Sequence, residues 1–254
     1  MNNLDEIRSR AKHIEFIATD VDDTLTINGI LTSGVLDTLE LLNRIGKKII
    51  LVTGRSGGAC TTLAQYLPVA SVIAENGGVI IKKHDLATVK LPKDHRERLN
   101  KCLNDIRGIF PSVVPAQDNQ FRLTDMSIEN TSVPDGAINK IKKIAIGYGL
   151  MITISSIQTH IISPGFNKAS TLKKIVKKSK TITLGDSIND ESMFNPAIFP
   201  LSVGVANIKK YLKFMKYHPR WIMDNEQGYG FIEFAEMIKS RNVFKGTGKV
   251  VKQS

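Results

Sequence analysis

Nowhere in this chain do apolar residues run on for the roughly 18 positions that a membrane-crossing helix needs. The first ten residues mix acids and bases without the apolar stretch of a secretory signal. A cytoplasmic protein with no membrane partner is the expectation. Cysteine is scarce: Cys60 and Cys102 stand far apart and without metal-ligand spacing. Neither a disulfide framework nor a zinc site is expected, and both thiols read as buried structural residues. Aromatic residues make up only 6% of the chain. They are not interleaved with basic residues as single-strand nucleic-acid binders require. Acidic residues are also short, 24 against 35 Lys and Arg, for a net charge of +11. Such a surplus suits an anionic partner, phosphorylated small molecule or nucleic acid alike, and does not choose between them.

Much of that charge lies in Lys173, Lys174, Lys177, Lys178 and Lys180. At helical spacing these leave Leu172, Ile175 and Val176 for a core and read as a solvated helix face. Residues 241–254 form a basic tail poor in apolar residues, expected to be disordered and assigned no function. With 254 residues, 42% of them hydrophobic, the remainder has room for a sizeable core and one or two domains.

Residues 14–81 alternate strand and helix patterns: a strand to residue 19, a helix over 34–45, a strand to 52, a helix over 56–67 and a strand over 71–74. That is the first part of a doubly wound sheet. Residues 82–164 read differently, with a helix near 93–107, an alternating strand over 120–128, a helix over 134–147 and strands at 151–154 and 159–162. After Pro164-Gly165 the alternation returns: a helix from Lys168, a strand over 181–184, a helix from Asp190, a strand over 201–205 and a last helix near 230–238. The expected architecture is α/β, a Rossmann-like doubly wound parallel sheet core built from 1–82 and 165–240, with an inserted α+β cap domain over 83–164.

Polar clusters follow the apolar runs, and in an open α/β sheet they converge at the carboxyl ends of the strands. Asp20 and Asp22, at i and i+2 where a strand ends, can enter one pocket, one as nucleophile and the other as acid/base. Oxygen ligands without His or Cys favour a hard cation such as Mg²⁺, and Asp186 and Asp190 add further oxygens. Thr53, Gly54 and Arg55 open a helix with a hydroxyl and free N–H groups, a natural phosphate cradle. Lys168 beside four carboxylates would neutralise charge on phosphoryl oxygens.

In this order, Asp-x-Asp-x-Thr at 20–24, Thr53-Gly54-Arg55, Lys168 and Gly-Asp-Ser-x-Asn-Asp at 185–190 resemble the haloacid dehalogenase superfamily of phosphohydrolases. The insert, the Glu75-Asn76-Gly77-Gly78 turn and the loop at 224–228 resemble its α+β-cap type, which includes sucrose-phosphate, trehalose-phosphate, mannosylphosphoglycerate and phosphoglycolate phosphatases. The resemblance implies that Asp20 attacks phosphorus, that Asp22 protonates the leaving oxygen and then activates water, and that Thr53 holds a phosphoryl oxygen. It implies Mg²⁺ held by Asp20, the Asp22 backbone carbonyl and Asp186, with Asn189 and Asp190 supporting from behind or through metal-bound water. Asp23 stands where the family often has Gly.

Cap residues that could contact substrate are Arg122, on its alternating strand, and His160; Asn76 joins them from the core. For His160, flanked by apolar strand residues, a structural role competes with that reading. Lys142, Lys143, Arg96 and Arg98 read as solvated helix charges, and Phe121 and Trp221 as core. The expected function is a Mg²⁺-dependent phosphomonoesterase acting on a small phosphorylated metabolite, a sugar phosphate, through an aspartyl-phosphate intermediate. The alternatives are a phosphosugar mutase of the same fold and a nucleic-acid-binding or regulatory protein.

Overall fold

The computed structural model describes residues 5–239; the basic tail over 241–254 lies outside them. The chain runs through α1 (Asp5–Arg10), β1 (Phe16–Thr19), α2 (Ser33–Arg44), β2 (Lys48–Val52), α3 (Gly57–Tyr66), β3 (Ser71–Ala74), β4 (Val79–Lys82) and β5 (Asp85–Thr88). Next come α4 (His95–Ile109), β6 (Asp125–Glu129), α5 (Ile138–Gly147), β7 (Met151–Ile154) and β8 (Gln158–Ile162). Then follow α6 (Lys168–Leu172), β9 (Thr181–Gly185), β10 (Leu201–Gly204), β11 (Trp221–Ile222) and α7 (Gln227–Ile238).

Eight strands form one sheet in the order β11-β10-β9-β1-β2-β3-β4-β5. The six from β11 to β3 are parallel, and β4 and β5 close that edge as antiparallel strands. Both faces are covered, which is why the inner strands are nearly continuous apolar runs. Ile17, Ile49, Leu51 and Val72 pack on one face, while Ala18, Ile50, Val52 and Ile73 pack on the other against Ala169, Leu172, Met193 and Phe199. The two-residue period of a strand sends alternate side chains into two separate clusters.

A second sheet of three antiparallel strands, β6-β8-β7, carries its own apolar cluster. Met126, Ile128 and Ile161 face Leu99, Cys102, Ile106, Ile141 and Ala145 on α4 and α5. The alternating residues Asp125, Ser127, Gln158 and His160 are polar yet also buried. They belong to the opposite face.

Three elements depart from expectation. The strand expected over 120–128 begins only at Asp125, after a 3₁₀ turn at Gln117–Phe121. The N–H groups of Leu123 and Thr124 donate to the Glu75 carboxylate, at 2.9 and 2.5 Å, instead of to a neighbouring strand. The helix from Lys168 stops at Leu172, and the one expected from Asp190 is a 3₁₀ helix, Ile188–Phe194, started by a reciprocal cap between Ser187 and Asp190. Phe121, expected in the core, is 56% exposed, because its turn runs along the surface beside α3. Trp221 is buried, and both cysteines are buried free thiols.

Candidate active site

Apart from Lys168, which opens α6, the core clusters singled out in the sequence lie just beyond parallel strands. Asp20 follows β1, Thr53 follows β2, the turn at Glu75–Gly77 follows β3, Asp186 follows β9, and Asn207 comes three residues after β10. Since β1 pairs with β2 on one side and β9 on the other, successive loops diverge there and leave a crevice.

Three carboxylates, those of Asp20, Asp186 and Asp190, meet in it, with one oxygen from each lying within 4.8 Å of the others. Lys168, buried at the start of α6, is the cation between them, its Nζ donating to Asp20 Oδ1 at 2.8 Å and Asp190 Oδ1 at 2.6 Å. Asp190 Oδ2 accepts from the N–H groups of Asp186 and Ser187. A Cβ at residue 185 would stand 2.4 Å from Asp190 Cγ, so only glycine fits there. Asp186 accepts from the Thr24 hydroxyl and the Asn207 amide.

One ammonium for three carboxylates leaves the cluster with surplus negative charge. Burial and the charges of Asp190 and Asp22 outweigh Lys168 and push Asp20 up to about 7. Burial, with Asp190 and Asp20 beside it, holds Asp186 well above the carboxylate range. Burial alone would lower the Lys168 pKa, but Asp190 and Asp20 raise it. Oxygen-only donors with excess negative charge are what hard divalent cations select, so these residues fit such an ion.

The Asp22 carboxylate, expected as the acid/base, stands apart from this cluster. Arg55 binds it with Nε at 2.7 Å and Nη2 at 2.6 Å, a bidentate pair that turns it toward the mouth of the site. Asp23 also turns away: it takes a left-handed φ of 55° and accepts from Gln227 Nε2 at 2.9 Å. That φ is the physical reason a glycine suits the position. Thr53 is buried, and its Oγ1 accepts from the Arg55 N–H. Residues 75, 76 and 77 all have left-handed φ, of 51°, 55° and 110°. Glu75 offsets that strain by accepting from the N–H groups of Gly57, Leu123 and Thr124 and from the Thr124 hydroxyl.

The polar face of the three-stranded sheet closes over this crevice. Gln158 and His160 line a cavity of about 10 Å³ with Asp20, Asp22, Gly54, Arg55, Ser155, Ile157 and Asn189, room for about one water. A cleft of about 880 Å³ opens beside it, sharing Asn189 and lined by Met151, Thr153 and Ile162 from the sheet and by Phe166, Ile188 and Phe214.

Arg122 is not a free cation on a strand. It precedes β6, fully buried, and binds Asp118 and Asp125. It also donates to Gly54 O at 2.9 Å and Gln158 Oε1 at 3.0 Å. Asp118 four residues before it and Asp125 three after capture the guanidinium, and among the residues lining the cavity it is absent. Asp125, Gln158, Ser155 and Asn207 were not singled out in the sequence. Asn207, polar just past an apolar run, carried the same signal as Asp20; Asp125 and Gln158 sit in segments whose buried polar face no short pattern reveals.

The haloacid dehalogenase-like hydrolase family matches residues 17–121 and 126–219. Phosphoglycolate phosphatases of Methanothrix thermoacetophila and Sulfolobus acidocaldarius are 26% and 27% identical to the chain, each over 89% of it and over 98% and 96% of their own lengths. Among solved structures, a Thermoplasma acidophilum protein superposes with a TM-score of 0.74 at 19% identity, over 89% of this chain and 98% of its own. The sucrose-phosphatase of Synechocystis superposes at 0.64 and 16%, over 88% and 97%. No helix among the described residues is long and apolar enough to cross a membrane. With its acids, Lys168 and the Thr53-Gly54-Arg55 loop gathered around the ends of one parallel sheet, the chain belongs to the haloacid dehalogenase-like hydrolase family and is a phosphatase of that family.

Proposed function

We propose that the chain is a Mg²⁺-dependent phosphomonoesterase acting on a small phosphorylated metabolite, a sugar phosphate, through an aspartyl phosphate on Asp20. The observation that carries this reading is the Asp20 carboxylate on the cavity wall, anchored by Lys168 on one oxygen and neighboured by a two-carboxylate surplus. Asp20 attacks phosphorus as the bond to the leaving oxygen breaks, and Asp22 supplies that oxygen with a proton. Asp22 then takes a proton from water, whose oxygen bonds to phosphorus as the Asp20–phosphorus bond breaks, releasing phosphate. Arg55 holds Asp22 at the mouth of the site; an arriving phosphate gives the guanidinium a second anion to bind and frees a carboxylate oxygen for the proton. Thr53 and Gly54 cradle phosphoryl oxygens, and Lys168 offsets the repulsion between carboxylate and phosphate. Asp20, Asp186 and Asp190, with the Asp22 carbonyl, would hold Mg²⁺, which supplies further positive charge against the phosphoryl oxygens.

The part of residues 83–164 that follows β5, itself paired into the large sheet, acts in this reading as a cap that must lift for a phosphate to enter, since the present cavity admits little more than a water. The adjoining cleft has space for a sugar. Phosphoglycolate, the substrate in the names of the sequence relatives, is the competing small ester and would use the same chemistry. Phosphate release from sugar phosphates, 2-phosphoglycolate and an aryl phosphate, with Mg²⁺ or EDTA, tests the proposal. Asp20→Asn is expected to lower kcat about 10⁴-fold, and EDTA to abolish turnover; turnover that survives either overturns it.

A further inference from the structure

The face that the small sheet turns toward the crevice changes character across its width. Residues directly opposite one another on antiparallel strands share a face. The pairings of β8 with β6 and β7 therefore set Ser127, His160 and Thr153 in one row of that face, and Asp125, Ile162 and Met151 in the next. His160 and Gln158 line the small cavity at Asp20. Ile162 and Met151 line instead the cleft of about 880 Å³ beside it, together with Phe166, Ile188 and Phe214.

The polar side chains at this cleft mostly serve the protein itself. Asn167 Oδ1 accepts from the Ser170 N–H at 2.8 Å, Ser192 Oγ from the Ala169 N–H at 3.3 Å, and Glu191 Oε1 from the N–H groups of Lys216 and Tyr217. Asn189 donates to Asn76 Oδ1 at 3.2 Å and accepts from the Ser187 hydroxyl at 2.8 Å. A group rich in hydroxyls would give up its hydration there for few partners, whereas an apolar group gains by leaving water. Met151 and Phe214, 45% and 65% exposed, hold apolar surface open to such a group.

Asn189 lines both the cavity at Asp20 and this cleft, and its neighbour Ile188 lines the cleft. The two spaces are therefore continuous at the residue where the leaving group of an ester held at Asp20 would emerge. The cleft lies near the upper end of the volumes that hold drug-sized ligands, more than one sugar ring fills. We propose that it is an apolar leaving-group subsite, so that the preferred substrates are phosphomonoesters whose alcohol carries an alkyl or aryl body, alone or attached to a sugar. Met151, Ile188 and Phe214 are the specificity-determining residues for that body. The inference rests on the phosphatase reading above and narrows its substrate class.

The test compares ethyl phosphate, n-hexyl phosphate and glucose 6-phosphate on wild type, Met151→Asp and Phe214→Asp. The two alkyl esters share the same reacting atoms, so their ratio reports the leaving-group subsite alone. Wild type is expected to favour the hexyl over the ethyl ester by about tenfold or more in kcat/KM, since a fully buried methylene contributes about fourfold and the cleft is partly open. Hexyl phosphate should also exceed glucose 6-phosphate. Met151→Asp and Phe214→Asp, which set a charge on the cleft wall, should each cut the hexyl-to-ethyl ratio several-fold, chiefly by raising the KM of the hexyl ester. A wild-type ratio near one, a ratio that survives both substitutions, or an equal loss on both esters overturns the proposal. The wild-type comparison decides even if a variant does not fold. Glucose 6-phosphate turned over better than both alkyl esters would overturn the apolar subsite and leave the sugar-phosphate reading standing, whereas turnover that survives Asp20→Asn would overturn the catalytic reading and this inference with it.

Discussion

Two buried polar clusters face each other in this molecule, and they handle charge in opposite ways. On the side of the large sheet, Asp20, Asp186 and Asp190 share one cation, Lys168. On the side of the small sheet, Arg122 is matched by Asp118 and Asp125, and the remaining capacity of Asp125 is turned to His160. The first cluster sets three carboxylates against one cation and the second two against one. The larger surplus is one that a bound cation can complete; the smaller lets the small-sheet cluster hold its shape whether or not a ligand is bound. The pKa directions agree: burial and like charges raise Asp20 and Asp186, whereas at Asp125 burial is outweighed by Arg122 and the carboxyl falls below its ordinary value.

The comparison breaks first at its cations. Lys168→Met leaves three buried carboxylates with no counter-charge, and is expected to cost about 3–5 kcal/mol, read as a lower urea midpoint, together with loss of turnover. Arg122→Met strands Asp125 and frees the Gly54 carbonyl; the expected loss is about 3 kcal/mol, with turnover reduced because the Gly54 loop loses its support. A stability unchanged by either substitution would show that the cluster does not depend on that cation.

Metal addition sharpens the contrast more gently. Asp20, raised from 3.8 to about 7 in the metal-free protein, binds a proton when folded that the unfolded chain releases between those values. Its stabilising contribution is therefore complete below about pH 4 and lost as pH climbs through 7. Mg²⁺ binds the ionised form, so its upward shift of Tm should be larger at pH 8 than at pH 5.5, measured by thermal melts with EDTA as reference. An equal shift at both pH values would place the ion elsewhere. At the small end, Phe121→Ser on the exposed turn should change stability by less than about 0.5 kcal/mol; a larger loss would mean that the turn's contact with α3 carries weight.

Reading the sequence was most reliable where function and local pattern coincide. Asp20, Thr53 and Asp186 each stand directly behind a short apolar strand, and the parallel sheet brings such strand ends together whatever the loops do. Arg122 shows where local pattern fails. Its alternation with apolar neighbours resembles a strand, but Glu75, 48 residues away from Leu123, takes the backbone N–H groups a strand would use. The length of α6 was missed as well, since Ile175 and Val176 still reach the core from a chain that has left the helix.

By itself the sequence determined the alternating α/β order, the strand ends that carry the acids, and Lys168 as a member of the site, because strand period and strand-to-loop transitions are local properties of neighbouring residues. Only the tertiary structure decided that Asp22 pairs with Arg55, that Asp125 faces His160, and that Asn189 donates to Asn76. Each of those orientations is set by a partner 33 or more residues away in the chain, where long-range packing and hydrogen bonding choose among side-chain arrangements that the local sequence leaves equivalent.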